Sequence, residues 1–261
     1  MAYFLKTVDA GATREIEKWK KAPKEKRRAA KRAAKRAAKA NPTPPEMENV
    51  NRKNALSKLR WTLNGNFVPG DYWIALTYFT LDWPPLNQAL EDYRKFMREL
   101  RKLYARYGVT LKYISVTERR PTHKPHHHIA LPQGVPLGEI QAIWPHGHIN
   151  VKPFNQTGQY HQVAVYIFKH TKIPGYRGKR WNGSKNLTRP EPKEREMKAK
   201  HWREEPTAPK GWMIDKTMPI ERGVNPITGA EYLRYSLIRL PVDKSRRSGP
   251  RVCAGATTIR I

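Results

Sequence analysis

The sequence predicts an α+β fold in which helices flank a largely antiparallel central sheet. Three observations carry this. Strand-like and helix-like segments alternate irregularly along the chain. Two neighbouring strand-like segments, Lys112–Val116 and His127–Leu131, are joined by a polar, proline-containing link, Glu118–Pro125, too short for a parallel crossover. Between Pro85 and Gly108, Leu86, Leu90, Tyr93, Phe96, Met97, Leu100, Leu103, Tyr104 and Tyr107 mark one face of a long helix, with Arg and Lys opposite.

The other elements follow in order. Lys24–Lys39 repeats Lys/Arg pairs every four residues with alanine between them, which favours helix and leaves cations that repel unless counter-charge arrives. Three prolines in the segment Asn41–Glu46 cannot continue a helix, so residues 1–46 read as a basic arm and linker, with the folded domain starting near Met47. Val50, Ala55, Leu56, Leu59 and Leu63 predict a core-covering helix that ends before the turn signal Asn64-Gly65-Asn66. Asp71–Leu81, rich in aromatic and apolar residues, reads as the first strand. Leu137–Trp144 reads as a short helix, His148–Lys152 as a strand and Gln159–His170 as a helix, closing a domain over 47–175. Residues 176–242 read as an extension rich in Arg, Lys, Pro and Trp. It includes a turn, Asn225–Gly229, between Met213–Asp215 and a strand Tyr232–Leu240, and residues 243–261 form a basic tail.

Composition narrows the function. The 261 residues suit one main core, and 51 Lys and Arg against 22 Asp and Glu leave a formal charge of +29. Such a charge repels itself in a compact fold unless a polyanion supplies the counter-charge, so the partner is nucleic acid. An anionic membrane surface is the weaker reading, because the basic run lacks an apolar face and no stretch approaches the ~20 apolar residues of a membrane span. Cys253 is the only cysteine, which excludes an intramolecular disulfide and any cysteine zinc cluster and points to a reducing, cytoplasmic compartment. No GxxxxGK phosphate loop is present, so strand separation falls to a host helicase.

The chemistry concentrates in Pro125-His-His-His-Ile-Ala-Leu131. On a strand, His126 and His128 share a face at about 6.6 Å between Cα atoms and can chelate one ion, while His127 points the other way. Glu118 ends the preceding strand, where antiparallel pairing brings it beside them. Two imidazoles and a carboxylate with open positions suit Mg²⁺ or Mn²⁺ holding a phosphate oxygen. The plainer readings are a surface histidine cluster, imidazoles on phosphate, or Glu118 bridged to Arg119 or Arg120; His123 is a spare ligand. In the last predicted helix, Tyr160, Val163, Ala164 and Ile167 form a core stripe, and Gln162, Tyr166 and Lys169 share the adjoining flank. Tyr166 is therefore a candidate nucleophile with Lys169 as its assisting cation, although such a pair also occurs by chance on packed helices. Arg28, Arg32 and Arg36 of the basic run, with Lys179, Arg180 and Trp181 downstream, are candidate DNA contacts. Trp181 and Trp202 suit base stacking, or else pack on the core.

The order Leu76-Thr77-Tyr78, then Glu118 with Pro125-His126-His127-His128, then Tyr166-x-x-Lys169 resembles the three motifs of rolling-circle replication proteins with the His-hydrophobic-His (HUH) fold. The resemblance runs from about Val50 to His170 and is nearest to replication-associated proteins of small single-stranded DNA phages and related bacterial mobile elements. It includes Trp144–Val151, with further similarity around Lys179–Leu187 and Val224–Gly229. It implies that His126, His128 and Glu118 bind the metal, that Tyr166 attacks single-stranded origin DNA to give a 5′-phosphotyrosine, that Lys169 orients or neutralises, and that the freed 3′-hydroxyl primes a host polymerase. His127 departs from the pattern, standing where an apolar residue is usual, so it must find a hydrogen-bond partner if it faces the core. Some relatives use two tyrosines, which makes Tyr160 or Tyr176 a candidate for termination. Conjugative relaxases share the chemistry, but their tyrosine precedes the histidines; related transposases are shorter. A non-enzymatic nucleic-acid binder with structural histidines is the reading from another class.

Overall fold

A computed structural model describes residues 3–20, 45–79, 83–118, 125–170, 181–225 and 228–241. The architecture is α+β, with two antiparallel sheets and four helices among these residues. In chain order the elements are β1 (Tyr3–Ala10), β2 (Thr13–Lys20), α1 (Pro45–Asn66), β3 (Tyr72–Leu76), α2 (Leu86–Arg106), β4 (Ile114–Glu118), β5 (His126–Leu131) and α3 (Leu137–Ala142). They continue with β6 (Ile149–Pro153), α4 (His161–His170), β7 (Asn182–Gly183), β8 (Lys193–Met197), β9 (Trp212–Ile214), β10 (Glu221–Val224) and β11 (Glu231–Arg239).

The site-bearing sheet has the order β6-β3-β5-β4-β7. Side chains alternate across it, so its two faces build two cores. On one face Ile74, Leu76, Ile129 and Leu131 pack against Phe96, Leu100 and Tyr104 of α2, Ile140 of α3 and Trp144. On the other, Ile114, Val116 and Ala130 pack against Leu59 and Leu63 of α1 and Ala164 and Ile167 of α4. Burying each such side chain stabilises the fold by about 1.5–3 kcal/mol, which is why the spacing of α2 and α4 could be read so directly. The ends of β5 and α2 lie within two residues of those expected. The strand expected over Asp71–Leu81 is shorter, Tyr72–Leu76.

The second sheet joins the two ends of the chain in the order β10-β11-β2-β1-β8, with β9 also on β11. The sequence reading of residues 1–46 as arm and linker therefore does not describe residues 3–20, which form a hairpin turning at Gly11 (φ 59°). Val8 pairs with Glu15 and Ala10 with Thr13, and all four side chains are buried. A Cβ at Gly11 would stand 2.0 Å from the Asn64 carbonyl oxygen, so only glycine lets the hairpin tip meet α1 this closely.

Helix α1 also differs at both ends. It starts at Pro45, because the first helical turn needs no proline N–H, and it runs through Asn64-Gly65-Asn66. Tertiary bonds override that turn signal. The Asn64 amide donates to Thr13 Oγ1 (2.9 Å) and Gln159 Oε1 (3.1 Å), and its oxygen accepts from the Tyr160 N–H (2.9 Å). The turn at Asn225 joins β10, absent from the sequence reading, to β11. The basic run with Arg28, Arg32 and Arg36, the segment with His123, Tyr176, Lys179 and Arg180, and the tail from Asp243 lie outside the described residues.

Candidate functional site

Strand register assembles the site. On β5 and β4, His126 lies opposite Glu118 and His128 opposite Val116, so His126, His128 and Glu118 share the face covered by α4. Across β3, Ala75 opposes His128 and the stacked neighbour Trp73 lies on the same face (ring centroids 5.7 Å, interplanar 7°). Glu118 and His128 are buried at 7 % exposure each, while His126 is half-buried, with its ring 6.3 Å from that of His128.

Helix α4 supplies the phenol. Its core stripe of Tyr160, Ala164 and Ile167 is buried against the sheet, which turns the next flank towards the histidines. The half-buried Tyr166 hydroxyl lies 2.9 Å from His128 Nε2, and its ring meets Trp73 edge-on at 6.2 Å. Lys169, one turn further, is exposed on that flank. Tyr160 is 1 % exposed, and its burial, reinforced by Asp71, pushes its phenol well above the ordinary tyrosine range. Such a phenol is a poor second nucleophile.

His127 takes the opposite face, as the alternation requires. It stacks on Tyr93 (4.9 Å, 18°) and meets Trp144 edge-on, and its Nδ1 is 3.0 Å from the hydroxyl of Thr117, its cross-strand neighbour. A polar side chain thus fills a position usually apolar because an aromatic box and one hydroxyl receive it.

The donor types and the common face of His126, His128 and Glu118 fit a divalent cation. As the side chains stand, no three His, Cys, Asp or Glu groups among the described residues converge closely enough to enclose an ion. Of the expected DNA contacts, Trp181 is half-buried against the α1–α4 core. Trp202 packs edge-on to Tyr3 at 5.4 Å, so both tryptophans support the fold. Two residues were not singled out from the sequence. Trp73 needed the β3–β5 register, which no local pattern reveals. Gly147 lies where a Cβ would be 1.7 Å from the Thr77 carbonyl oxygen, and Trp144 Nε1 donates to that same oxygen (2.8 Å). The Trp144–Val151 segment thereby clamps the end of β3 beside the histidines.

Residues 71–171 match the family of replication-associated proteins of the ORF2 type. That stretch contains Glu118, the three histidines, Tyr166 and Lys169, so the family resemblance read from the motifs is borne out and supports a role in replication initiation. No curated protein and no solved structure matches the chain. No helix among the described residues is long and apolar enough to cross a membrane.

Proposed function

We propose, on the premise of that family match, that the protein initiates rolling-circle replication by nicking and rejoining single-stranded origin DNA through Tyr166. The contact between the Tyr166 hydroxyl and His128 Nε2 carries the reading, because it joins a nucleophile on one element to a metal-type donor on another. His126, His128 and Glu118 would hold Mg²⁺ or Mn²⁺, which when bound supplies Lewis-acid polarisation of the scissile phosphate.

The remaining steps belong to the chain. Trp73 and the α4 core hold the phenol and imidazole in one orientation. The Tyr166 oxygen attacks phosphorus, the bond to the 3′-oxygen breaks, and the phenolic proton is given up as the 3′-hydroxyl is formed. A tyrosine, with an ordinary pKa near ~10, needs this assistance at neutral pH, and Lys169 adds positive charge on the same flank. Because the phosphotyrosine conserves the cleaved link, attack by a later 3′-hydroxyl rejoins the strand. A host helicase and polymerase would open and extend the template, in the cytoplasm of a bacterial cell.

The test is cleavage of single-stranded origin DNA by the full chain with Mg²⁺ or Mn²⁺, with and without chelator. Cleavage lost with chelator and restored by added metal is expected. Binding with no cleavage under any metal would leave a non-enzymatic nucleic-acid binder.

A further inference from the structure

A cavity of about 510 Å³ lies between helices α1 and α4 and the sheet that joins the chain ends. Its size falls in the ~300–1,000 Å³ range of small-ligand sites. The floor is fixed by charge. Arg60, 5 % exposed, donates through Nε to Glu15 (2.6 Å), and its NH1 lies 3.2 Å from His161 Nδ1. Arg234 is likewise held by Glu17 (2.8 Å) and Glu221 (3.5 Å). These cations are neutralised and serve to shape the pocket.

The walls and rim differ from the floor. Leu56, Val165, Phe168, Met218 and the ring of Tyr235 offer apolar and aromatic surface, and Val165 is 39 % exposed in a helix otherwise well packed. Arg52, Lys53 and Lys169 stand at the mouth, exposed, and none forms an ion pair with an acidic group among the described residues. An apolar slot beneath unneutralised cations fits a flat heterocycle carrying a phosphate.

Lys169 is shared. It lines this cavity and lies on the flank of α4 that bears Tyr166, within one helical turn of it. We infer that the cavity receives one unpaired nucleotide, its base between Phe168 and Tyr235 and its phosphate on Lys53 and Lys169. The nucleotide is delivered by the strand that Tyr166 cuts or is taken up free. The inference rests on the reading of the chain as a single-strand nicking protein. It adds a base-holding site on the side of α4 away from the histidines.

The test uses the full chain, a single-stranded dT12 oligonucleotide bearing 5-iododeoxyuridine, and separately 5-iododeoxyuridine monophosphate. After irradiation, crosslinked peptides are mapped. Binding of dT12 is compared between the wild type and Val165→Trp, which fills the slot from an exposed helical position and touches none of the nicking residues. A crosslink on Phe168 or Tyr235, lost in Val165→Trp together with roughly tenfold weaker dT12 binding, is expected from the worth of one stacked base. A crosslink from the monophosphate alone would make this a free-nucleotide site of the same chemistry. Crosslinks only outside the cavity, with unchanged binding by Val165→Trp, overturn the inference. Tyr166 adducts are scored in parallel on origin DNA. Adducts without cavity crosslinks sink the cavity alone, and cavity crosslinks without adducts sink the nicking assignment alone.

Discussion

Both halves of the molecule bury charged or titratable groups, and they do so to different ends. In the sheet around β5, Glu118 and His128 lie at the α4 flank, where a phenol meets the imidazole at 2.9 Å and the polar groups remain within reach of an incoming phosphate. In the sheet joining the chain ends, Glu15 is closed off by Arg60, and Glu17 binds Arg234 across 217 residues of sequence. Burial of a charge therefore does not identify a catalytic site. What separates the two is whether the buried groups satisfy one another or are aimed at an open flank carrying a nucleophile.

The contrast can be broken first at the Arg60–Glu15 pair. Arg60→Met leaves Glu15 buried without its partner and is expected to lower stability by about 3–5 kcal/mol in chemical denaturation. Protein that stays folded should retain Tyr166 chemistry, since the pair lies outside the histidine cluster. Equal loss of nicking per folded molecule would show that the halves are not separable.

Next comes Gly147→Ala. Its methyl would collide with the Thr77 carbonyl oxygen, so strand β6 must shift, at about 3 kcal/mol, the top of the usual overpacking range. Here nicking should fall along with stability, because Thr77 adjoins the histidines in the ladder. A stable, fully active Gly147→Ala protein would remove the clamp from the explanation.

A smaller effect is expected at His161. Burial, aided by Arg60, lowers its pKa below the ordinary histidine value of 6.5, with Asp215 and Glu221 pulling weakly the other way. The folded state favours the neutral ring, so the unfolded chain takes up the proton first. Its contribution to stability is therefore present above about pH 6.5 and lost as pH falls below that value. A denaturation series from pH 7.5 to about 5 should show a slope that His161→Asn reduces.

The smallest is Tyr160→Phe. Its hydroxyl is buried with no hydrogen-bond partner among the described residues, so removal should be neutral or stabilising by up to about 1 kcal/mol, with nicking unchanged. Lost rejoining in that variant would instead revive Tyr160 as a second nucleophile.

How much of this was legible follows from where the partners sit in sequence. The faces of β5, α2 and α4 were readable because a two-residue or 3.6-residue period records burial locally, and those periods put Tyr166 and the outer histidines on their flanks. The hairpin of residues 3–20 was not. Strand β2 reads TREIEKWK, and its charges look like solvent exposure until Arg60 and β11, far along the chain, are placed beside it. The Asn64-Gly65-Asn66 overrun has the same cause, since the Asn64 amide is satisfied by Thr13 and Gln159 and no longer competes with its own helix. Trp181 was open between stacking on bases and packing on the core, and only its neighbours decide that.

The most direct measurement is to incubate the chain with origin DNA and a divalent metal, digest the covalent adduct, and sequence the peptide that carries the nucleotide. The modified residue should be Tyr166, with no adduct in Tyr166→Phe despite unimpaired origin binding. A nucleotide on any other residue, or an undiminished adduct in that variant, would contradict the assignment of the nucleophile.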